Sequence, residues 1–162
     1  MPTRTKGDEP VDAAIVVSSC DAYADVWPAF FTLFFRYWPD CPFPVYLIAN
    51  RARFDHPRVT TLAIDPDRRW ATNLRLALER VPCRRVLYFQ EDYFLDQPAR
   101  TAKIAEWLQY MDARQTGYLR MLAAPGPEMP SADGRSDIGE IPPDSLWRTS
   151  LQAAFWDAGL LR

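Results

Sequence analysis

Short apolar runs alternate with segments of helical periodicity along this chain. Four runs rich in β-branched residues predict strands at 13–18, 45–49, 59–64 and 86–89. A continuous apolar run without alternation is typical of a strand covered on both faces, as in a parallel sheet. A fifth strand is predicted at 118–122. The region that follows has many prolines and little periodicity, which is typical of a long loop that serves as a lid or is disordered.

Segments between these runs carry signals of helices. Asp25 is placed to cap a helix over 26–38, which is apolar almost all round and is therefore expected to be well buried. Asp67 or Thr72 is expected to start the next helix, and Asp96 the one after it. The predicted buried faces consist of Leu74, Ala77, Leu78 and Val81 in the second helix, and of Ile104, Trp107, Leu108 and Met111 in the third.

The order of these elements defines the expected fold class. Strands alternate with helices, which predicts an α/β fold with a mostly parallel central sheet and flanking helices, a Rossmann-like layer fold. Residues 1–10 are expected to form a flexible polar tail, and 11–162 a single domain. With 162 residues, 48% of them apolar, the chain is long enough to bury a substantial core.

Composition removes several classes of function. The chain has 19 basic and 21 acidic residues, so nucleic acid is not an expected partner. Its three cysteines form no C-x-x-C motif, which argues against a zinc site and favours reduced thiols in the cytoplasm. No segment is apolar for long enough to predict a transmembrane helix, and the polar first residues do not resemble a signal peptide.

Polar side chains follow every strand of the predicted parallel sheet. In open α/β sheets, ligands bind at the carboxyl ends of the strands. The groups that follow the four strands in turn are Ser19 and Asp21, then Asn50, then Asp65, and finally Glu91 and Asp92. The sequence therefore predicts a binding crevice at this edge, with carboxylates around it.

Glu91 and Asp92 are the most informative pair, because they lie between two apolar runs in RVLYFQEDYFL. Adjacent buried acids are unfavourable unless their charge is stabilised. A divalent cation, Mg²⁺ or Mn²⁺, would stabilise them and would also bind a diphosphate. The chain has no glycine-rich phosphate loop, which leaves a cation as the natural partner of such a group. The alternative is a solvated turn whose acids cap the next helix.

Three further residues have both a functional and a structural interpretation. Asp21 is placed to bind a base or ribose, or to form an Asx turn or helix cap. Arg75 would bind a phosphate bidentately, or would be a solvated helix residue. Asp157, in a cluster with Trp147, Gln152 and Trp156, is a candidate catalytic base, whereas the alternative is a core strand.

Three segments, IVVSSCDAYADVW, VYLIAN and VLYFQEDYFL, resemble bacterial nucleotide-sugar glycosyltransferases of the GT-A fold. The resemblance spans 13–122, with a weaker similarity at 148–160. In that family a loop after the first strand holds the nucleoside, and an Asp-x-Asp motif after a central strand binds a divalent metal on the donor diphosphate. Here the motif reads QED. The chain is shorter than most members, which is compatible with a domain truncated at its C-terminus.

The resemblance implies a specific set of site residues. Glu91 and Asp92 would serve the metal and the donor sugar, and Asp21 would contact the nucleoside. From the residues themselves we further expect Asp92 and Asp157 to be catalytic, and Ser19, Asp65 and Arg75 to contribute to donor binding. The segment SLQAAFW would line the acceptor side.

We therefore expect a metal-assisted glycosyltransferase that moves a sugar from a nucleotide-sugar donor to a glycan or small-molecule acceptor. Two alternatives stay open. One is a nucleotidyltransferase, although that class normally has a phosphate loop rich in glycine and lysine, and SSCDAYAD contains neither. The other is a non-catalytic domain that binds nucleotide-sugars.

Overall fold

The computed structural model describes residues 12–124 and 126–162, so the predicted tail at 1–10 lies outside the described residues. Within them the chain forms one six-stranded sheet, one two-stranded sheet and four α-helices. This confirms the expected α/β fold with a mostly parallel central sheet. None of the described helices is long and apolar enough to cross a membrane.

Strands and helices follow one another along the chain in the order of their numbers. The strands are β1 (Ala13–Ser18), β2 (Val45–Ala49), β3 (Val59–Ala63), β4 (Arg85–Gln90), β5 (Tyr118–Arg120), β6 (Met129–Pro130), β7 (Gly139–Glu140) and β8 (Ala154–Asp157). The helices are α1 (Trp27–Tyr37), α2 (Trp70–Leu78), α3 (Thr101–Ala113) and α4 (Ala158–Leu161). The strands predicted at 13–18 and 45–49 are confirmed to the residue, and those at 59–64 and 86–89 to within one residue at either end.

The six-stranded sheet has the spatial order β3-β2-β1-β4-β8-β5. Strands β1 to β4 are parallel, whereas β8 runs antiparallel to both of its neighbours. The chain builds outward from β1 through β2 to β3 and then crosses to the other side of β1 with β4. The strand order therefore reverses between β1 and β4, which is the position where α/β sheets bind ligands.

Both faces of the sheet are covered, which explains the continuous apolar runs of its strands. On one face Ile15 and Leu87 belong to a core cluster with residues of α1 and α3, and on the other Val16 and Val86 pack with residues of α2. The alternation of side chains along a strand produces this division. Aromatic rings fill the first core, where the centroid of Phe34 lies 5.9 Å from that of Phe89.

The helices differ from the sequence predictions in their starts and in their burial. Helices α1, α2 and α3 begin after Val26, Arg69 and Arg100, and none of these residues caps its helix through a side chain, so the predicted acidic caps are wrong. The carboxylate of Asp67, for example, accepts a hydrogen bond from the Asn73 side chain instead. Helix α1 is also not buried all round, because the sheet covers only its stripe of Trp27, Phe30, Phe31 and Phe34.

The segment predicted as a loop at 123–144 contains one short hairpin, β6–β7, and is attached to α3 by charged side chains. The carboxylate of Asp137 lies 2.6 Å from Lys103 Nζ and accepts a hydrogen bond of 3.2 Å from Trp107 Nε1. Arg135 pairs with the same carboxylate at 2.8 Å and also with Glu106. Specific ion pairs, and not apolar periodicity, therefore position this segment.

Candidate functional site

The carboxyl edge of the parallel strands brings together most of the residues that the sequence singles out. Ser18, the last residue of β1, is in register with Gln90, the last residue of β4. The loops that begin at Ser19 and Glu91 are therefore neighbours at the point where the strand order reverses. Because β5 runs parallel to β4 and β8 runs antiparallel to it, the long segment between them also starts and ends at this edge.

Asp21 ties the loop after β1 to the loop after β2. One of its carboxylate oxygens accepts a hydrogen bond of 2.9 Å from the backbone N–H of Asn50, and the other accepts bonds from Arg51 N–H at 2.9 Å and Ala52 N–H at 3.1 Å. Desolvation disfavours the charged form, but these donors outweigh it and hold the pKa of the Asp21 carboxyl below its usual value. A carboxylate has about four acceptor positions, so this one has little capacity left for a nucleoside.

Asp65 extends this connection to the loop after β3. Its carboxylate accepts a hydrogen bond of 2.9 Å from Arg51 Nε, in a pair that is largely exposed to solvent. Arg51 therefore links three loops through its backbone and side chain, and its remaining guanidinium donors point to an exposed position at the edge. The sequence did not single out Arg51, because an isolated loop arginine carries no distinctive pattern.

Two serines at the end of β1 hold tryptophans of the neighbouring helices. Ser19 Oγ accepts a hydrogen bond of 2.8 Å from Trp27 Nε1, which fixes the start of α1. Ser18 Oγ accepts one of 3.2 Å from Trp70 Nε1, at the first residue of α2. The Trp70 residue is 45% exposed, so a large aromatic ring with a fixed nitrogen lies at the carboxyl edge of the sheet. Trp70 was not predicted as a site residue, although its position outside the predicted buried face of the helix indicates an exposed ring.

Glu91 and Asp92 differ from Asp65 at the same edge, because they have no cationic partner among the described residues. Glu91 is partly buried and Asp92 is exposed. Burial raises the pKa of the Glu91 carboxyl, and the neighbouring charge of Asp92 adds to that increase. The pair is thus an uncompensated negative site directly after a buried strand.

The donor set available to a metal is small. Within residues 12–124 and 126–162, no group of three or more His, Cys, Asp or Glu side chains is arranged to hold a metal ion. Glu91 and Asp92 would supply two carboxylate groups at most. Magnesium and manganese usually keep several waters and take further oxygens from substrate phosphates, so two carboxylates are a sufficient protein contribution. The residues present fit a metal that arrives with a diphosphate, and do not fit a closed protein cage.

Arg75 is not brought to this edge. Helix α2 starts beside Ser18 and ends where the carbonyl of Leu78 accepts a hydrogen bond from Arg162, at the opposite edge of the sheet. Arg75 lies partway along the helix and forms an ion pair with Glu79, one turn further from the crevice. Arg68 and Arg69, which directly precede the helix, are the exposed arginines at its carboxyl-edge end.

Asp157 lies at the amino edge of the parallel strands. It is in register with Arg85, the first residue of β4, and accepts a hydrogen bond of 2.9 Å from Gly159 N–H at the start of α4. Strand β4 has six residues, which at about 3.3 Å per residue separates its two ends by about 17 Å. The structure therefore does not bring Asp157 to Asp92, and this geometry gives no support to its predicted role as a base there.

The predicted acceptor cluster is divided in the same way. Trp156 is 7% exposed and packs in the core, whereas Trp147 is 68% exposed in the segment that leads to β8 at the carboxyl edge. The carbonyl oxygen of Trp147 accepts a hydrogen bond of 2.6 Å from Arg120, the last residue of β5. Trp147, which precedes β8, is therefore near the carboxyl edge, whereas Trp156 is not available there.

Comparison of the chain with protein-family models gives no match, and comparison with curated proteins gives none either. The function of the chain is therefore inferred from the arrangement of side chains at the carboxyl edge.

Proposed function

We propose that this protein is a metal-assisted glycosyltransferase that uses a nucleotide-sugar donor. The observation that carries the proposal is the placement of Glu91 and Asp92. They follow β4 directly, have no cationic partner among the described residues, and lie beside the end of β1, where the strand order reverses. The mostly parallel sheet supports the resemblance of the sequence to GT-A glycosyltransferases.

Glu91 and Asp92 would hold a divalent cation together with the donor diphosphate. A bound cation would neutralise the negative charge that develops on the departing diphosphate. The raised pKa of the Glu91 carboxyl supports this assignment, because a cation would offset both its burial and its repulsion by Asp92. The catalytic assignment is Asp92 alone, since Asp157 lies at the other edge of the sheet.

The rest of the donor would be bound by the exposed groups around the crevice. Trp70 offers a ring face on which a base or sugar would stack, and its hydrogen bond to Ser18 fixes the ring in position. Arg51 offers guanidinium donors that suit phosphate oxygens. The exposed ring of Trp147 supports an acceptor position beside β8.

A thermal-shift experiment with nucleotide-sugars, combined with an assay for sugar transfer, tests the proposal. We expect a donor to raise the melting temperature of the wild-type protein only when Mn²⁺ or Mg²⁺ is present. Asp92→Asn should abolish that increase and the transfer of sugar. Asp96→Asn, a change of an exposed acid in the same loop, is the matched control and should retain both. Equal donor binding by the wild type and Asp92→Asn would refute the metal role.

A second candidate function, a non-catalytic domain that binds nucleotide-sugars, is favoured by one observation. The carboxylates of Asp21 and Asp65 are engaged by backbone N–H groups and by Arg51. These two acids are therefore occupied by structural roles and are poor candidates for a base. Metal-dependent binding of a donor without transfer or hydrolysis of its sugar would select this function over the first.

A further inference from the structure

An apolar cavity of about 180 Å³ lies on the α1–α3 face of the sheet, away from Ser18 and Trp70. Leu87 and Phe89 of β4 form part of its wall, and the remaining wall includes Ile104 and Trp107 of α3 together with Trp38 and Met121. The surface of this cavity is almost wholly apolar. Glu91 and Asp92 are not among its lining residues, although Phe89 and Leu95, which flank them in the chain, are.

The polar atoms of the two tryptophans in this wall are satisfied by other partners. Trp38 Nε1 donates a hydrogen bond of 2.9 Å to Thr101 Oγ1, and Trp107 Nε1 donates one of 3.2 Å to Asp137. These bonds hold the indole rings in place and leave the cavity without a hydrogen-bonding group of theirs. A site of this kind is preformed for an apolar group.

Two cationic residues, Arg100 and Lys103, also line the cavity, and they differ in their partners. Lys103 Nζ lies 2.8 Å from a carboxylate oxygen of Glu106 and 2.6 Å from one of Asp137, so its charge is compensated. Arg100 is exposed and has no ion-pair or hydrogen-bond partner for its guanidinium in the part of the chain that the structure describes. Arg100 therefore brings one uncompensated positive charge to the side of an apolar cavity.

We propose that this cavity binds a small amphiphile that has an alkyl chain and an anionic carboxylate or phosphate head. The volume of 180 Å³ is comparable to that of an apolar cavity of about 150 Å³ that binds benzene. It therefore suits a short chain and is too small for a ligand of ordinary drug size. The guanidinium of Arg100 binds the head, since its planar donors match carboxylate and phosphate oxygens.

Calorimetry with octanoate, 1-octanol and acetate tests separately whether the cavity binds the alkyl chain and whether Arg100 binds the anionic head. We expect octanoate to bind with one-to-one stoichiometry, 1-octanol to bind more weakly, and acetate not to bind, because the chain supplies affinity and the head adds to it. No saturable binding of octanoate, or acetate binding as tight as that of octanoate, would overturn the proposal.

Variants locate the binding site. Arg100→Gln should weaken octanoate binding by about tenfold, as expected for the loss of one charge-assisted contact, and leave 1-octanol binding unchanged. Arg114→Gln, at the other end of α3, is the matched control and should change neither. Ala99→Leu, which adds atoms at a partly exposed wall position, should abolish binding of both ligands while the melting temperature shows that the variant is folded. Equal effects of Arg100→Gln and Arg114→Gln, or full binding by folded Ala99→Leu, would exclude this cavity.

Discussion

The two edges of the central sheet use charged residues in opposite ways. At the amino edge, the guanidinium of Arg85 is almost fully buried and donates hydrogen bonds of 2.8 Å to Asp112 and to the carbonyl of Thr116. It also lies 3.6 Å from Asp157. At the carboxyl edge, the adjacent acids Glu91 and Asp92 have no comparable partner among the described residues.

This difference separates residues that stabilise the fold from residues that are available to a ligand. A buried arginine whose guanidinium makes four hydrogen bonds ties β4 to the end of α3, and its ion pair with Asp157 ties it to β8. The partly buried carboxylate of Glu91, which has no cation at the position where the strand order reverses, is unfavourable for the folded chain alone. We infer that the amino edge is structural and that the carboxyl edge is the binding edge.

Substitution of Arg85 should have the largest effect on stability. Arg85→Met removes the buried one of the two arginines near Asp112 and Asp157 and leaves the carbonyls of Met111 and Thr116 without this donor. Breaking a buried ion pair from one side costs about 3–5 kcal/mol of unfolding free energy, and the loss here should lie near the lower end of that range because the side chain of Asp112 is 40% exposed. Urea denaturation measures this loss.

The neighbouring arginine provides the control for that experiment. Arg84 lies 3.6 Å from Asp112 and 3.8 Å from Asp157, but its side chain is 55% exposed. Arg84→Met should therefore change the unfolding free energy by no more than about 1 kcal/mol. Similar losses in both variants would mean that burial does not distinguish these two arginines, and the amino edge would then lose its structural assignment.

An intermediate effect is expected at Asp21, a structural acid at the carboxyl edge itself. Asp21→Asn replaces one carboxylate oxygen with a donor that faces backbone N–H groups, which should lower the unfolding free energy by about 1–3 kcal/mol. Asp25→Asn, at an exposed position in the same loop, should have little effect. If Asp21→Asn were as stable as the wild type, its carboxylate would not be needed to hold the two loops together.

The strands could be predicted from the sequence because their burial is a local property. A run such as 13–17 is apolar at every position, and only a strand covered on both faces satisfies all of them. The starts of the helices could not be predicted, because the residues before α1, α2 and α3 make no side-chain cap. Packing against the sheet sets these boundaries, and a single sequence does not reveal that packing.

The residues of the candidate site could be predicted from the sequence only where the direction of the preceding strand could be predicted as well. Ser19, Asp21, Asp65, Glu91 and Asp92 all follow parallel strands, and the structure places them at one edge. Asp157 also ends a strand, but β8 is antiparallel, so its end lies at the other edge. The direction of β8 depends on its insertion between β4 and β5, which is a contact between distant parts of the chain.

The smallest effect on stability is expected for substitution of Glu91. Unlike the substitutions of Arg85 and Asp21, it should raise the unfolding free energy. Because the folded protein raises the pKa of this carboxyl above its value in the unfolded chain, about 4.3, the folded state retains the proton to higher pH. Stability is therefore unaffected below that value and decreases as pH rises through the raised pKa. Glu91→Gln should remove the penalty and raise the unfolding free energy at pH 7, by no more than about 1 kcal/mol for a partly solvated group.

Asp21 provides the contrast for this experiment, because folding shifts the pKa of its carboxyl in the opposite direction. The pKa of Asp21 is lowered on folding, so its stabilising contribution is present at neutral pH and is lost as pH falls through the acidic range. Melting temperatures between pH 3 and pH 7 should therefore change in opposite directions for Glu91→Gln and Asp21→Asn relative to the wild type. Mn²⁺ with a diphosphate should stabilise the wild type more than Glu91→Gln, because the cation compensates the charge that only the wild type carries. A loss of stability in Glu91→Gln at pH 7 would show that this acid stabilises the fold. That result would contradict the assignment of the carboxyl edge as the binding edge.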